Sequence, residues 1–362
     1  HFQRVEHCLV ALPGASLRSI KTVKSHVQAL AQCRNFLKKH KLAPLVHAEA
    51  PGNLMCLWPR GDEAATDAAF AKATHVSRLS IKSPRQVVHY LETRAAWSAY
   101  DAAEDLVTVT LASQGVQIPH RMMCESVLHL AKDKLRLITQ DVGGGFGPKY
   151  PISRESSLIA WATRKLRRGL RWSAERAEHA LSDSHSRDLV ATAELALDAG
   201  GKFLGLRVKA QANFGAYLSM FAPSIPTTGL AKVMSGLYRI PAMHILFDCA
   251  FTNTVPVDAI RGAGKPEALF LLERLIDIAA REIGRTPADV RWVINTHLHF
   301  DHAGGNTYLD AAGVVRPSFP NARYVVQAGE HHWATHTNER TAASYFGKNW
   351  DPIIAEGRFD FI

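Results

Sequence analysis

No two of the five cysteines are close enough to form a CxxC pair. Cys8, Cys33, Cys56, Cys124 and Cys249 stand alone, which excludes a zinc ribbon or an iron–sulfur cluster built from local spacing. Scattered single cysteines suit a reducing compartment, so a cytoplasmic location is expected. No run of eighteen apolar residues exists, and no membrane span is predicted. No secretory leader is predicted either. The first residue is His1, and "HFQRVEHCLVAL" reads as the middle of a domain, which predicts a truncated or spliced start. No segment is biased enough in composition to suggest disorder, and no repeat or low-complexity linker divides the chain.

What is present is ample apolar material. The chain has 362 residues, 47% of them hydrophobic, enough for one large core or two to three smaller ones. The net charge is +10. The densest basic stretch, "RKLRRGLRW" from Arg164 to Trp172, reads as a helix end, where cations suit the negative end of the dipole. No aromatic or glycine-rich RNA-binding motif accompanies it, so no nucleic-acid partner is expected.

Three textures follow one another. Residues 1–45 alternate strand and helix patterns. "EHCLVAL" is strand-like and "LPGAS" turns the chain. After a short strand, Ser25 is placed to cap a helix with Val27, Leu30, Ala31 and Leu37 on one side. Residues 46–290 mix helices such as "EAATDAAFAKA" with strands such as "LVTVTLAS", "KLRLITQD", "LVATAELALD" and "KFLGLRVKAQANFGAYL". Gly200 and Gly201 predict a hairpin turn. "PEALFLLERLIDIAAREIG" predicts an amphipathic helix ended by Gly284. Residues 291–362 restart with "VRWVINTHLHFDH", read as a buried strand, and continue through a helix-like stretch to the strand "NARYVVQ".

Two kinds of motif carry chemistry. The first is HxHxDH. A strand end delivers His297 and His299, and the following loop brings Asp301 and His302, a donor set suited to zinc or another divalent ion. Gly304 and Gly305 let the backbone turn close by. His331, His332 and His336 read as helix-surface histidines. The second kind is glycine-rich. In "QDVGGGFGPK", Gly143, Gly144, Gly145 and Gly147 bare backbone N–H groups, but Pro148 and Pro151 argue against an immediate helix, and the spacing is neither a dinucleotide fingerprint nor a P-loop. A tight structural turn and a ligand cradle remain equally open. In "IRGAGKPEA", Gly262 and Gly264 bare the backbone where a helix begins near Pro266, and Arg261 can bond an anion. Two such loops point to a large anionic cofactor.

These motifs resemble three families. "DVGGGFGPK", the earlier "SQG", and "RGAGKPEA" with "ERLIDIAAREIGRTPADVR" resemble the molybdenum-binding large subunit of the xanthine dehydrogenase, aldehyde oxidase and aerobic carbon monoxide dehydrogenase family, over about 46–290. The resemblance implies molybdopterin carrying molybdenum. Gly144, Gly145 and Gly147 would line its site, with Phe146 beside the metal, and Gln114 would bond an apical metal oxygen, with Gln117 as competitor. Arg261 would sit near the substrate pocket. No cysteine adjoins it, which points to the general hydroxylase branch. It further implies an aldehyde or N-heterocycle substrate, and flavin and iron–sulfur subunits as electron acceptors. The family's base glutamate lies near its C-terminus, beyond the match, and Glu267 reads as a first-turn helix acid. "INTHLHFDHAGGNT" and "FPNARYVVQAGEHHWA" resemble metallo-β-lactamase fold hydrolases over about 291–362, implying His297, His299, Asp301 and His302 as zinc ligands. "HFQRVEHCLVALPGASLRSIKTVKSHVQALAQC" resembles prephenate dehydratase over about 1–45, without that family's Thr-Arg-Phe motif. His26 there reads as packing near the cap.

The expected fold class is therefore an α+β and α/β mosaic. A partial molybdopterin-binding domain is flanked by an α/β fragment and by the start of a metallo-β-lactamase αββα fold. The expected function is a molybdenum hydroxylase-type oxidoreductase with an incomplete catalytic set. The alternatives are a lactonase-like zinc hydrolase and a non-functional chimeric product.

Overall fold

In the computed structural model, the described residues are 16, 21–25, 34–46 and 56–362. The strand read in "EHCLVAL", the helix capped by Ser25 and the placement of His26 lie outside them. Two compact units divide the chain, His1–Ile276 and Asp277–Ile362.

The first unit opens with β1 (Thr22–Ser25), α1 (Arg34–Lys39) and β2 (Ala43–Val46), with β1 and β2 paired in parallel. Then come β3 (Cys56–Gly61), α2 (Glu63–Ala71), β4 (His75–Ser83), β5 (Ala95–Asp101), β6 (Leu106–Leu111), α3 (Gln117–Met122) and β7 (Leu135–Ile138). They are followed by α4 (Arg154–Leu166), β8 (Arg171–Ser173), α5 (Arg176–Ser182), β9 (Leu189–Leu197), β10 (Phe203–Gly215), β11 (Ala242–Phe251) and α6 (Lys265–Glu282), whose end from Asp277 on falls in the second unit.

A five-stranded sheet, ordered β3-β11-β10-β9-β4, is the larger frame. β9 and β10 pair antiparallel through the turn read in the sequence. Gly201 takes φ +84°, and the Asp198 side chain accepts bonds from the backbone N–H groups of Gly200 and Lys202, each 2.9 Å. Alternate residues Leu189, Ala191, Ala193 and Leu195 face inward opposite Leu206, Val208, Ala210 and Ala212, and all are buried. α2 lies against this sheet with Asp62 as its N-cap, accepting from Ala65 N–H at 2.9 Å. Gly205 permits the close approach, because a Cβ there would stand 3.0 Å from Cβ of Ala69.

A four-stranded sheet, β7-β6-β5-β8, is packed by α4 and by Met123 and Cys124. Its core gathers Ala96, Val107, Val109, Leu111, Leu135, Leu137 and Ala160. Ser153 caps α4 by accepting from Ser156 N–H at 3.1 Å. Arg164 and Lys165 occupy its last turn, so "RKLRRGLRW" opens as a helix end. At the end of α6, Gly284 takes φ +75° and Arg285 N–H reaches back to Ala280 O at 2.7 Å, the stop read from the sequence.

The second unit holds β12 (Trp292–Ile294), α7 (Phe300–Ala303), the hairpin β13 (Thr307–Leu309) and β14 (Val315–Pro317), then β15 (Arg323–Val326), α8 (Ala328–Thr335), α9 (Asp351–Ala355) and β16 (Phe359–Phe361). β12, β15 and β16 form a parallel sheet over a core of Leu298, Tyr324, Val326, Trp350, Ile353 and Phe359. The strand read as buried in "VRWVINTHLHFDH" is corrected here. It is three residues long, and Trp292 and Ile294 are 58% and 75% exposed. β12 is an edge strand paired only with β15, so two of its three side chains stand on a face left uncovered within the unit. Among the described residues no helix is long and apolar enough to cross a membrane.

Candidate cofactor-binding loops

Between β7 and α4 the chain abandons regular structure, since its prolines lack donors and its glycines admit left-handed backbone. Gly144, Phe146 and Gly147 take φ of +93°, +52° and +118°. Each glycine is demanded by a neighbour. A Cβ would fall 2.5 Å from Glu92 Cβ at Gly143, 2.6 Å from the Gln114 side chain at Gly145, and 2.5 Å from Ala259 O at Gly147. At Gly144 it would meet the Phe146 ring at 2.9 Å. The turn is thus tight for reasons internal to the protein.

Gln114 is held by this packing. Its Oε1 accepts Gly147 N–H at 2.7 Å, and its own backbone N–H donates to Lys149 O at 3.2 Å. Gln117 opens α3 instead. The second loop meets the first: Arg261 N–H donates to Phe146 O at 2.8 Å. Gly262 and Gly264 take φ of +98° and +89° just before α6, and a Cβ on Gly264 would stand 2.2 Å from Ile225 O. The structure therefore brings Gln114, Gly144, Gly145, Phe146, Gly147 and Arg261 into one contiguous feature. Gln114 and Arg261 are exposed, and the Phe146 ring is half exposed. An amide, an aromatic face and a guanidinium form a set that suits a planar, anionic cofactor such as a pterin.

Residues that sequence reading passed over hold this feature. Arg187 donates to Arg261 O at 3.0 Å and pairs with the buried Glu267 at 2.6 Å, so Glu267 is engaged as an ion-pair partner in the first turn of α6. Arg187 and Asp188 both take left-handed backbone, φ +66° and +62°, and Asp188 is gripped by Arg85 at 2.9 Å and Asn213 at 2.8 Å. Beneath the glycine loop, Arg94 donates to Pro148 O at 2.6 Å and pairs with the buried Asp183 at 2.8 Å. Tyr90 also donates to Asp183. Burial pushes the Asp183 carboxyl up, but the Arg94 guanidinium outweighs it and holds the group below the usual carboxylate range. Burial pushes the Tyr90 phenol well above its ordinary value and His179, packed against it, below the ordinary imidazole value. Neither "HYLETR" nor "SDSHSRD" carries a spacing that marks such a network; its members are 89 residues apart in the Arg94–Asp183 bond.

In the second unit the HxHxDH imidazoles do gather. The ring of His297 lies 4.9 Å from that of His299 and 4.0 Å from that of His302. Yet among the described residues no group of three or more His, Cys, Asp or Glu side chains is placed to hold a metal ion. The expected zinc shell of His297, His299, Asp301 and His302 is thus without support among the described residues. Asp301 and His302 lie on the short α7 with His302 Nε2 3.5 Å from Asp301 Oδ2, and His299 packs edge-on against Tyr345. Glu330 accepts from Leu298 N–H at 2.8 Å and Tyr345 OH at 3.1 Å. His331, His332 and His336 sit on or at the end of α8, with His332 and His336 exposed.

Comparison with known proteins bears on the first feature. Residues 46–294 match the family model for the molybdopterin cofactor-binding domain. The chain is 36% identical over 227 residues to the 6-hydroxypseudooxynicotine dehydrogenase complex subunit gamma of Paenarthrobacter nicotinovorans, covering 62% of this chain and 28% of that protein. It is 32% identical over 243 residues to the carbon monoxide dehydrogenase large chain of Hydrogenophaga pseudoflava, covering 66% of this chain and 30% of that protein. The crystal structure of quinoline 2-oxidoreductase from Pseudomonas putida 86 superposes with a TM-score of 0.60 at 28% identity, over 66% of this chain and 30% of that one. The chain thus spans under a third of the length of these relatives.

Proposed function

The chain belongs to the molybdopterin cofactor-binding domain family, and from that premise we propose that it is part of a molybdenum hydroxylase-type oxidoreductase acting on an aldehyde or an N-heterocycle. The observation that carries this reading is the bond from Arg261 N–H to Phe146 O, which joins the two glycine-rich loops into one surface. The overall reaction replaces a C–H with a C–OH using water, and releases two protons and two electrons. The electrons leave through flavin and iron–sulfur partners. Bound molybdopterin would supply the two-electron redox centre.

The chain's own residues bind and orient. Gln114, whose Oε1 is fixed by Gly147 N–H, would hold the bound group through its amide. The half-exposed Phe146 ring would offer an apolar wall to the bound group. Arg261 offers charge-assisted bonds to anionic groups. The glycines let the loop backbone approach Glu92, Gln114 and Ala259 closely. The three-part division at about 45 and 290 belongs to this reading, with 46–290 as its cofactor-binding region.

The reading is tested by loading the 362-residue chain with molybdopterin and molybdenum and measuring the binding of aldehydes and N-heterocycles to the loaded chain by calorimetry. Binding that needs the loaded cofactor, and that falls at least about tenfold in Arg261→Ala, supports it. Binding to the loaded chain that is unchanged by Gln114→Ala and Arg261→Ala contradicts it.

A further inference from the structure

Lys149 is the one lysine among the largest fully buried side chains of the described residues, at 1% exposure. An ammonium so placed is costly unless it is paired. Its Nζ donates to Glu92 Oε2 at 2.7 Å and sits 4.5 Å from the centre of the Tyr90 ring. The same Glu92 oxygen accepts Gly143 N–H at 2.9 Å, and Glu92 N–H donates to Gly143 O at 3.1 Å. One carboxylate thus binds both ends of the 143–149 loop. The lysine's other end is also committed, since Lys149 O accepts from Gln114 N–H at 3.2 Å and from Ser113 Oγ at 3.2 Å. The path runs Gly143–Glu92–Lys149–Gln114–Gly147 and closes on itself around Phe146.

We propose that Glu92 and Lys149 are positioning residues that clamp the two ends of the glycine loop and so hold Phe146 and Gln114 at fixed spacing for the cofactor. The role in cofactor binding rests on the function proposed above; the clamp itself does not. The charges agree with it. Burial pushes the Glu92 carboxyl up, but the bonds from Lys149 and Gly143 N–H outweigh that and hold it low. Burial presses the Lys149 ammonium below the usual lysine range against the pull of Glu92. The Lys149 side chain is fully buried and that of Glu92 is partly exposed, and the pair's bonds run to the loop or to the backbone that holds it, so the pair acts through the loop.

The test uses the 362-residue chain with Glu92→Ala, with Lys149→Met, which keeps length without charge, and with both. Hydrogen exchange is measured at Gly143 and Gly147 in cofactor-free protein, with the β9 and β10 amides as internal reference. Pterin retained per chain is measured separately after loading with molybdopterin. The clamp predicts exchange at least about tenfold faster at the two loop amides with the reference unchanged, and a double variant no worse than the worse single one. Pterin retention falls in parallel. Loop exchange that is unchanged overturns the proposal, as does a uniform rise in loop and reference together, which would make the pair ordinary core. Wild-type chain that retains no pterin would remove the functional reading alone, because the exchange result judges the clamp without cofactor.

Discussion

Single residues set the candidate site, and they do so mainly by what they do not carry. Gly147 combines φ +118° with a contact of 2.5 Å from any added Cβ to Ala259 O, so two penalties fall on one position. Gly147→Ala is expected to lower unfolding free energy by roughly 1–3 kcal/mol and to weaken pterin retention, as read by denaturant unfolding and pterin content. An alanine that leaves both unchanged would mean that the loop relaxes freely. Arg94 argues the complementary case. Its partner Asp183 is buried with an 8% exposed side chain, and removing the cation strands that charge. Arg94→Met should cost about 3–5 kcal/mol at neutral pH, checked by the unfolding midpoint against Arg94→Met/Asp183→Asn, which should recover part of the loss.

Elements were legible where one local rule decided them. The β9–β10 hairpin follows from alternation and two glycines, and α6 from its amphipathic pattern and the stop at Gly284. Ser153 shows a further local rule at work, and Ser153→Ala should cost roughly 1 kcal/mol through the lost cap, visible as a lower thermal midpoint. β12 was misread because "VRWVIN" is apolar enough to be buried, while strand order, which puts it on an edge, is not written in local pattern. The loops read as glycine-rich were identified, but the reason for their glycines was not. It lies in Glu92, Gln114, Ala259 and Ile225, which the fold brings in from elsewhere in the chain. Likewise HxHxDH gave three gathered imidazoles, while a metal-holding group of side chains finds no support among the described residues.

At the scale of the molecule, the resemblance over 46–290 agrees with the family match over 46–294, and it rests on motif pairs that a fold must bring together. The fold is a mixed α/β arrangement similar to the corresponding region of quinoline 2-oxidoreductase. Stability should depend on pH through His179, which is buried, and His185, which is half-buried. Burial, the largest influence on both, holds His179 and His185 below the ordinary imidazole value of about 6.5. Below that pH the unfolded chain takes up protons that the folded chain refuses, so stability is greatest above it and falls as the solution is acidified from pH 7 to pH 5. Asp258, pushed up by burial, acts in the opposite direction. Urea midpoints at pH 7 and pH 5 check the sign; a higher midpoint at pH 5 would contradict it.

The central claim is that the loops carrying Gln114, Phe146 and Arg261 seat a molybdopterin. Its most direct measurement is the pterin and molybdenum content of the purified chain after loading, wild type beside Arg261→Ala and Gln114→Ala. Near one of each per wild-type chain, with clear loss in both variants, is the predicted result. A well-folded wild-type chain that retains neither, or variants that retain both in full, would contradict the account.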